Sequence, residues 1–400
     1  MAFFHNRDVN LINLHSVIGS VALGGGGAFY SVYLLKAGLS VPAVLLALAA
    51  TFALRLALRV FLLSLAIRIG LRRTVIVGTI LMAISFPFLI GVDGIGWGLF
   101  WLVLTSALAD TVYWPSFHAY FAALGDAEHR GQQLGIQVAA SSVLGIVSPL
   151  AAGWLLVVSG PTATFFATGA VQLLAAVPLF WTPDIAIARR APGAFRAAIS
   201  GAMLFIGDGW VSAGYFIVWQ IALFLTLGQS YVAYGGALAV AALVGAVGGL
   251  LLGRLIDSGK GTRAVWYSVS LAALLITMRA CVLGNPALAV AANALGSLVS
   301  CLYVPTLMTS VYNQAKRSRC VLRFHITAEG GWDIGVTSGL GLAALLTWLG
   351  YPIAYGILIA LAGLSTVFLL LRRYYARHAG ETIDASLTSG ELHIQLGETP

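Results

Sequence analysis

The chain has 400 residues, 60% of them hydrophobic and 9% charged, with a formal net charge of +8. Soluble domains keep polar exteriors, so this composition excludes a soluble globular protein. The positive charge does not signal a nucleic-acid partner, because the basic residues sit at the ends of long apolar stretches, where they face anionic lipid and set topology.

Twelve such stretches follow one another, at roughly 11 to 35, 42 to 66, 74 to 92, 97 to 123, 132 to 158, 163 to 181, 201 to 227, 232 to 252, 264 to 283, 287 to 312, 324 to 349 and 352 to 371. Each is near the ~20 residues that cross a bilayer core. All but Lys36, Arg55, Arg59 and Arg279 of the 22 basic residues lie at the amino terminus, in loops that follow even-numbered stretches, or after the last stretch. That bias predicts a multi-pass protein of the plasma (inner) membrane with both termini cytoplasmic. The expected fold class is all-α integral membrane, with twelve transmembrane helices. The first stretch is too long for a signal-peptide core and is kept as the first helix. Cys281, Cys301 and Cys320 make no paired framework and no CxxC, so neither disulfides nor a thiolate metal site are expected. The glycines from Gly24 to Gly27 lie inside an apolar stretch with no Gly-Lys-Ser or Gly-Lys-Thr after them, and no His and carboxylate spacing suggests a metal. No cofactor is expected.

The chain reads as a duplication. Tyr113-Trp114-Pro115-Ser116 in the fourth stretch recurs as Tyr303-Val304-Pro305-Thr306 in the tenth, and Gly145-Ile146-Val147-Ser148 in the fifth recurs as Gly335-Val336-Thr337-Ser338 in the eleventh, both in one register. A unit of six spans re-enters the membrane in its original orientation, which is the parallel-repeat arrangement of two-bundle transporters. The domains expected are an amino-terminal six-helix bundle over 1–181, a cytoplasmic connector over 182–200, a carboxy-terminal bundle over 201–378 and a polar, disordered tail over 379–400.

The loop after the second stretch reads Ile67-Arg68-Ile69-Gly70-Leu71-Arg72-Arg73, and the loop after the eighth reads Gly253-Arg254-Leu255-Ile256-Asp257-Ser258-Gly259-Lys260-Gly261. The fifth stretch carries Gly145, Ser148, Pro149, Ala152 and Gly153. On these motifs the chain resembles the major facilitator superfamily over about residues 7 to 378. The resemblance implies two pseudo-symmetric six-helix bundles, with Arg68, Gly70, Arg72, Arg73, Gly253 and Asp257 as a conformational loop motif. It also likens Gly145, Pro149 and Gly153 to a pattern that the family's antiporters favour. The first loop keeps the basic part of the family's pattern and lacks its Asp. The fourth stretch has Asp110 about where many members have an embedded Arg.

Ionisable residues at bilayer depth are expensive, so each requires a partner, a water-filled cavity or a neutral state. Asp110 in the fourth stretch and Arg55 in the second lie at similar depth, with Arg59 one turn nearer the cytoplasm on the face of Arg55 and His118 two turns from Asp110. One reading is a polar cluster in which Arg55 and Arg59 bind a carboxylate or phosphate of the substrate while Asp110 or His118 exchanges a proton. The other is a structural Arg to Asp pair tying the second helix to the fourth. In the second half, Asp208 lies on the seventh stretch, and Glu329 and Asp333 lie four apart on the eleventh. At 1.5 Å per residue, Arg59 and Asp333 are each about 15 Å from the cytoplasmic ends of their helices. Since the resemblance packs the second helix against the eleventh, Arg59 with Asp333 or Glu329 would form a cytoplasmic gate, with Asp208 nearby; a solvated surface is the alternative. Trp114 and Tyr303 flank kinking prolines near mid-membrane and are candidate substrate contacts, although helix packing uses the same residues.

No nucleotide motif is present, so transport must draw on a gradient, and embedded carboxylates make protons the first candidate. The sequence is read as a secondary active transporter moving a small organic solute by alternating access, proton-coupled, leaning to antiport and efflux, and monomeric. Its partners are the solute, H+ and membrane lipid. The alternatives are a proton symporter for a small organic anion and a non-transporting sensor or lipid-handling protein on the same fold. An enzyme is not expected, because no extended soluble loop presents a catalytic His or acid.

Overall fold

The computed structural model describes residues 6–124, 130–256 and 261–378, which contain helices and turns and no strand. Twelve long helical segments follow in chain order: α1 Arg7–Lys36, α2 Val41–Ile69, α3 Leu71–Gly91, α4 Trp97–Leu124, α5 Arg130–Val158, α6 Gly160–Trp181, α7 Ile199–Thr226, α8 Tyr231–Ile256, α9 Gly261–Cys281, α10 Pro286–Arg317, α11 Val321–Trp348 and α12 Ile353–Arg377. Their boundaries follow local chemistry. Asn6 and Asn285 accept the Val9 and Leu288 amides at 3.1 Å as N-caps of α1 and α10, and a proline occupies the first turn of α2 and α10.

Nine of the segments are, among the described residues, long and apolar enough to cross a membrane. Two others, α4 and α11, are 28 residues each but carry Asp110, and Arg323, Glu329 and Asp333, which lower their hydropathy. In α5 the apolar run, among the residues whose side chains are described, is Val143–Val158. Large apolar side chains such as Phe61 on α2, Trp154 on α5, Leu274 on α9 and Leu369 on α12 stand exposed around the outside. On a soluble protein such a surface would drive aggregation; in a bilayer it is the lipid face.

Segments α1–α6 and α7–α12 form two bundles that meet along two seams, α2 on α11 and α5 on α8. The α5–α8 seam is close because small residues line it: Gly145 lies by Ala242, Gly153 by Tyr231, and a Cβ at Gly235 would come within 2.4 Å of the Pro149 carbonyl oxygen. The duplicated tyrosine makes an equivalent bond in each half. Tyr113 on α4 bonds His15 Nε2 on α1 at 2.9 Å, and Tyr303 on α10 donates to Asp208 on α7 at 2.8 Å. Each ties its own bundle to that bundle's first helix.

After α6 the chain crosses the end of the molecule that carries Arg72, Arg189 and Arg323, called here the basic end. There the Leu71 amide donates to the Ile185 carbonyl at 3.0 Å and Arg323 donates to the Arg189 carbonyl at 2.9 Å, so the connector straps both bundles. A single helical turn, Ala194–Ala197, interrupts it. Asp257 and the tail over 379–400 lie outside the described residues, as does the side-chain environment of Gly253.

Segment α7 is not a uniform helix: Ser212–Val218 is wound as a π-helix. Such insertions leave a carbonyl without its usual partner. Arg279 on α9, itself only 3% exposed, donates to the Tyr215 carbonyl at 2.7 Å, its guanidinium carbon 4.3 Å from the Tyr215 ring centroid and 4.6 Å from that of Trp219. The aromatic faces stabilise the cation, and the π segment fixes which α7 residues face inward.

Candidate functional site: an interbundle cavity above a buried ion cluster

A cavity of about 350 Å³ lies between the bundles, lined by α1, α2, α3 and α4 on one side and by the π segment and following turn of α7 on the other. Its polar lining includes Tyr30, Ser31, Thr51, Ser106, Asp110 and Gln220, and its aromatic lining is Tyr30, Phe52, Phe86 and Phe216. Among the described residues, Asp110 is the one charged side chain in the lining. Its Oδ1 accepts the Trp114 indole N–H at 3.2 Å. Tyr30 and Ser106 share a hydrogen bond at 3.3 Å across α1 and α4, and Tyr234 donates to Gln220 at 2.9 Å.

Towards the basic end, the cavity floor is Phe52, whose ring meets Trp332 of α11 edge to face at 5.1 Å. The Arg55 guanidinium carbon lies 5.1 Å from the Phe52 centroid and 4.9 Å from that of Trp332. Beneath them Asp333 is completely buried and takes both arginines, Arg55 through Oδ1 and Arg59 through Oδ2. Arg59 also reaches Glu329 at 3.4 Å. Two cations and two anions thus join α2 to α11 in a neutral set. That set is not fully satisfied, since Arg59 Nη1 and Glu329 Oε1 are buried without a hydrogen-bond partner. At the other end of the cavity, Phe29 of α1, Phe224 of α7 and Tyr234 of α8 pack edge to face at 5.3 to 5.6 Å between centroids.

The residues singled out in the sequence therefore separate into groups. Arg59, Asp333 and Glu329 come together across the seam. Arg55 joins them rather than tying α2 to α4 through Asp110. Asp208 is bonded to Tyr303 within the second bundle and is not part of the ion cluster. Trp114 and Tyr303, expected as substrate contacts, are not among the residues lining the cavity; Trp114 instead supports Asp110. His118 stacks on Trp114 at 5.9 Å and on His325 at 5.7 Å and bonds the Tyr312 hydroxyl at 3.3 Å, facing α10 and α11 below the cavity.

The basic loop after α2 finds the carboxylate its own sequence lacks. Asp184, from the connector, accepts the Arg72 amide at 3.1 Å and lies 3.9 Å from Arg73 Nε, while Arg72 Nη1 donates to the Thr182 carbonyl at 2.8 Å. Gly70 adopts φ +85°, and a Cβ there would fall within 2.3 Å of the Asp184 carboxylate, so the approach requires glycine. Arg68 is exposed. The sequence reading missed Asp184, Gln220 and the clamp role of Arg279. The acid directly after Thr182-Pro183 is the signal that could have drawn attention to Asp184.

Two helical bundles around a central cavity in an apolar exterior define a multi-pass membrane protein of transporter architecture. The sequence matches the profile of the Major Facilitator Superfamily over residues 16–315, and the chain belongs to that family. Among solved structures it is similar to the human organic anion transporter MFSD10 (TETRAN), with a TM-score of 0.63 at 14% identity, covering 91% of this chain and 99% of that one. It is also similar to an auto-inhibited POT family peptide transporter, with a TM-score of 0.60 at 12% identity, covering 93% of this chain and 97% of that one. At these identities the likeness is one of fold. A comparison with curated protein sequences gives no match.

Proposed function

We propose that the protein is a proton-coupled secondary active transporter, moving a small organic solute by alternating access as an antiporter that exports solute against proton inflow. The observation that supports this reading is the placement of Asp110. The other carboxylates of the bundle interior are engaged: Asp333 and Glu329 by arginines, Asp208 by Tyr303. Among the described residues, Asp110 is the carboxylate that opens on the cavity, where a solute and a proton can compete for it. The ion cluster at the α2–α11 seam is the gate on the basic side, because separation of the bundles there must part Arg55 and Arg59 from Asp333. Rocking about the α5–α8 seam, where Gly145, Pro149 and Gly153 lie, would open it.

In proteoliposomes, Asp110→Asn is expected to abolish transport driven by a pH gradient while leaving some solute counterflow at raised solute concentration, since a side chain that cannot release a proton cannot transmit the gradient. Unchanged gradient-driven flux in the variant would remove Asp110 from coupling. In this reading the basic end faces the cytoplasm of the plasma membrane. With the native cysteines replaced, a cysteine at position 93 should label from outside intact cells and one at 190 should not; labelling at 190 would invert the topology.

A further inference from the structure

Arg55 and Arg59 are the residues that, in the sequence, speak for an anionic substrate. Both are 4% exposed and committed to Asp333 and Glu329, and neither lines the cavity. Phe52, which does line it, stacks on the Arg55 guanidinium. An anion in the cavity would meet the Asp110 carboxylate with no lining cation, among the described residues, to offset the repulsion.

The same lining suits the opposite charge. Asp110 has one oxygen occupied by Trp114, leaving Oδ2 for a ligand. Around it stand the rings of Tyr30, Phe52, Phe86 and Phe216, whose faces attract cations, and the remaining polar groups are neutral hydroxyls and the Gln220 amide. The volume, about 350 Å³, lies at the small end of the range for drug-sized pockets. One lining carboxylate surrounded by aromatic surface favours a ligand with one positive charge spread over an apolar body, because such an ion loses little hydration on entering. A compact inorganic cation would need several oxygen ligands and finds one carboxylate.

We infer that this cavity binds a monovalent, lipophilic organic cation, with Asp110 as its counter-ion and the four aromatic rings as its walls. The inference rests on the cavity being the transport site of the proposed function and names the class of solute that site takes. The Gln220 amide, its oxygen taken by Tyr234, and the hydrogen-bonded Tyr30 and Ser106 hydroxyls line the same space and offer hydrogen bonds that discriminate among cations, and the π segment of α7 sets how far Phe216 reaches into it.

The test uses two ions of nearly the same shape and opposite charge, tetraphenylphosphonium and tetraphenylborate, added to the purified full-length protein. Tetraphenylphosphonium is expected to raise the melting temperature in a saturable, concentration-dependent way, and tetraphenylborate is not. Asp110→Asn should weaken phosphonium binding by roughly tenfold or more, the loss expected for one charge-assisted contact, and Asp110→Glu should retain it. The Glu variant guards against a folding defect in Asp110→Asn. Equal or stronger binding of the borate, or phosphonium binding indifferent to Asp110→Asn, would overturn the inference. The coupling proposal fails separately: a phosphonium site that depends on Asp110 but gives no flux in response to a pH gradient leaves the cation site standing, whereas gradient-driven, Asp110-dependent flux of the borate keeps coupling and sinks the cation.

Discussion

Asp333 is the residue on which the α2–α11 seam depends most, because it serves two guanidiniums while itself completely buried. Asp333→Asn keeps the shape and removes one charge, leaving Arg55 and Arg59 facing Glu329 alone. An uncompensated buried charge costs about 3–5 kcal/mol. The penalty falls on the state in which the seam is closed; an open state lets water reach both arginines and escapes most of it. The closed-to-open ratio should then shift by roughly two to three orders of magnitude. Spin labels at positions 68 and 319, both exposed at the basic end, would report the change as a longer distance distribution in Asp333→Asn. Adding Arg55→Met restores a neutral set of Arg59 with Glu329, so the double variant should recover much of the closed population, an interaction a double-mutant cycle measures directly. Identical distributions in wild type and Asp333→Asn, or a more open double variant, would refute the gate.

Gly235→Val should lower thermal stability by about 1–3 kcal/mol through overpacking against Pro149 on the α5–α8 seam. Gly236→Val, at a position where an added Cβ meets nothing within 4 Å, should stay near wild type in the same melt. Asp184→Ala removes the cap on the Arg72 amide, a loss of about 1 kcal/mol, whereas its exposed contact with Arg73 contributes little. Limited proteolysis within 185–193 should accelerate in that variant, and an unchanged cleavage rate would count against the connector being strapped by Asp184.

The helical spans were legible because hydropathy and charge bias are local properties of the chain. The contact between Arg59 and helix α11 could be anticipated as well, because the family resemblance sets the second helix against the eleventh and depth along two antiparallel helices is a matter of counting residues. Arg55 could not be assigned on the same ground. Asp110 matches it in depth and Asp333 lies about one turn away, within an arginine's reach, so only the rotation of each helix about its axis distinguishes them. The cavity lining contributed by α7 was hidden for a related reason: a π segment shifts the angular register, so Phe216, Ile217 and Gln220 cannot be placed by a 3.6-residue period. Trp114 and Tyr303 were drawn to the cavity by their prolines, yet their polar atoms had better partners in Asp110 and Asp208. Asp184 lies 112 residues from the Arg72 amide it caps, a separation no local pattern spans.

The ion cluster also imposes an order on biosynthesis. Arg55 and Arg59 precede Asp333 by 278 and 274 residues. At ~5–20 residues per second, roughly 15 to 55 s of translation separate them. Throughout that interval α2 is a nascent helix with two guanidiniums and no α11, each arginine costing about 2.5–3.5 kcal/mol if it lodges at mid-bilayer. Until α11 emerges, that cost is lowest with the helix held at the insertion machinery or with its cationic face turned to water. A ribosome that stalls before α11 leaves that face unneutralised, and an exposed intramembrane charge is a feature by which quality control can tell a truncated chain from a finished one.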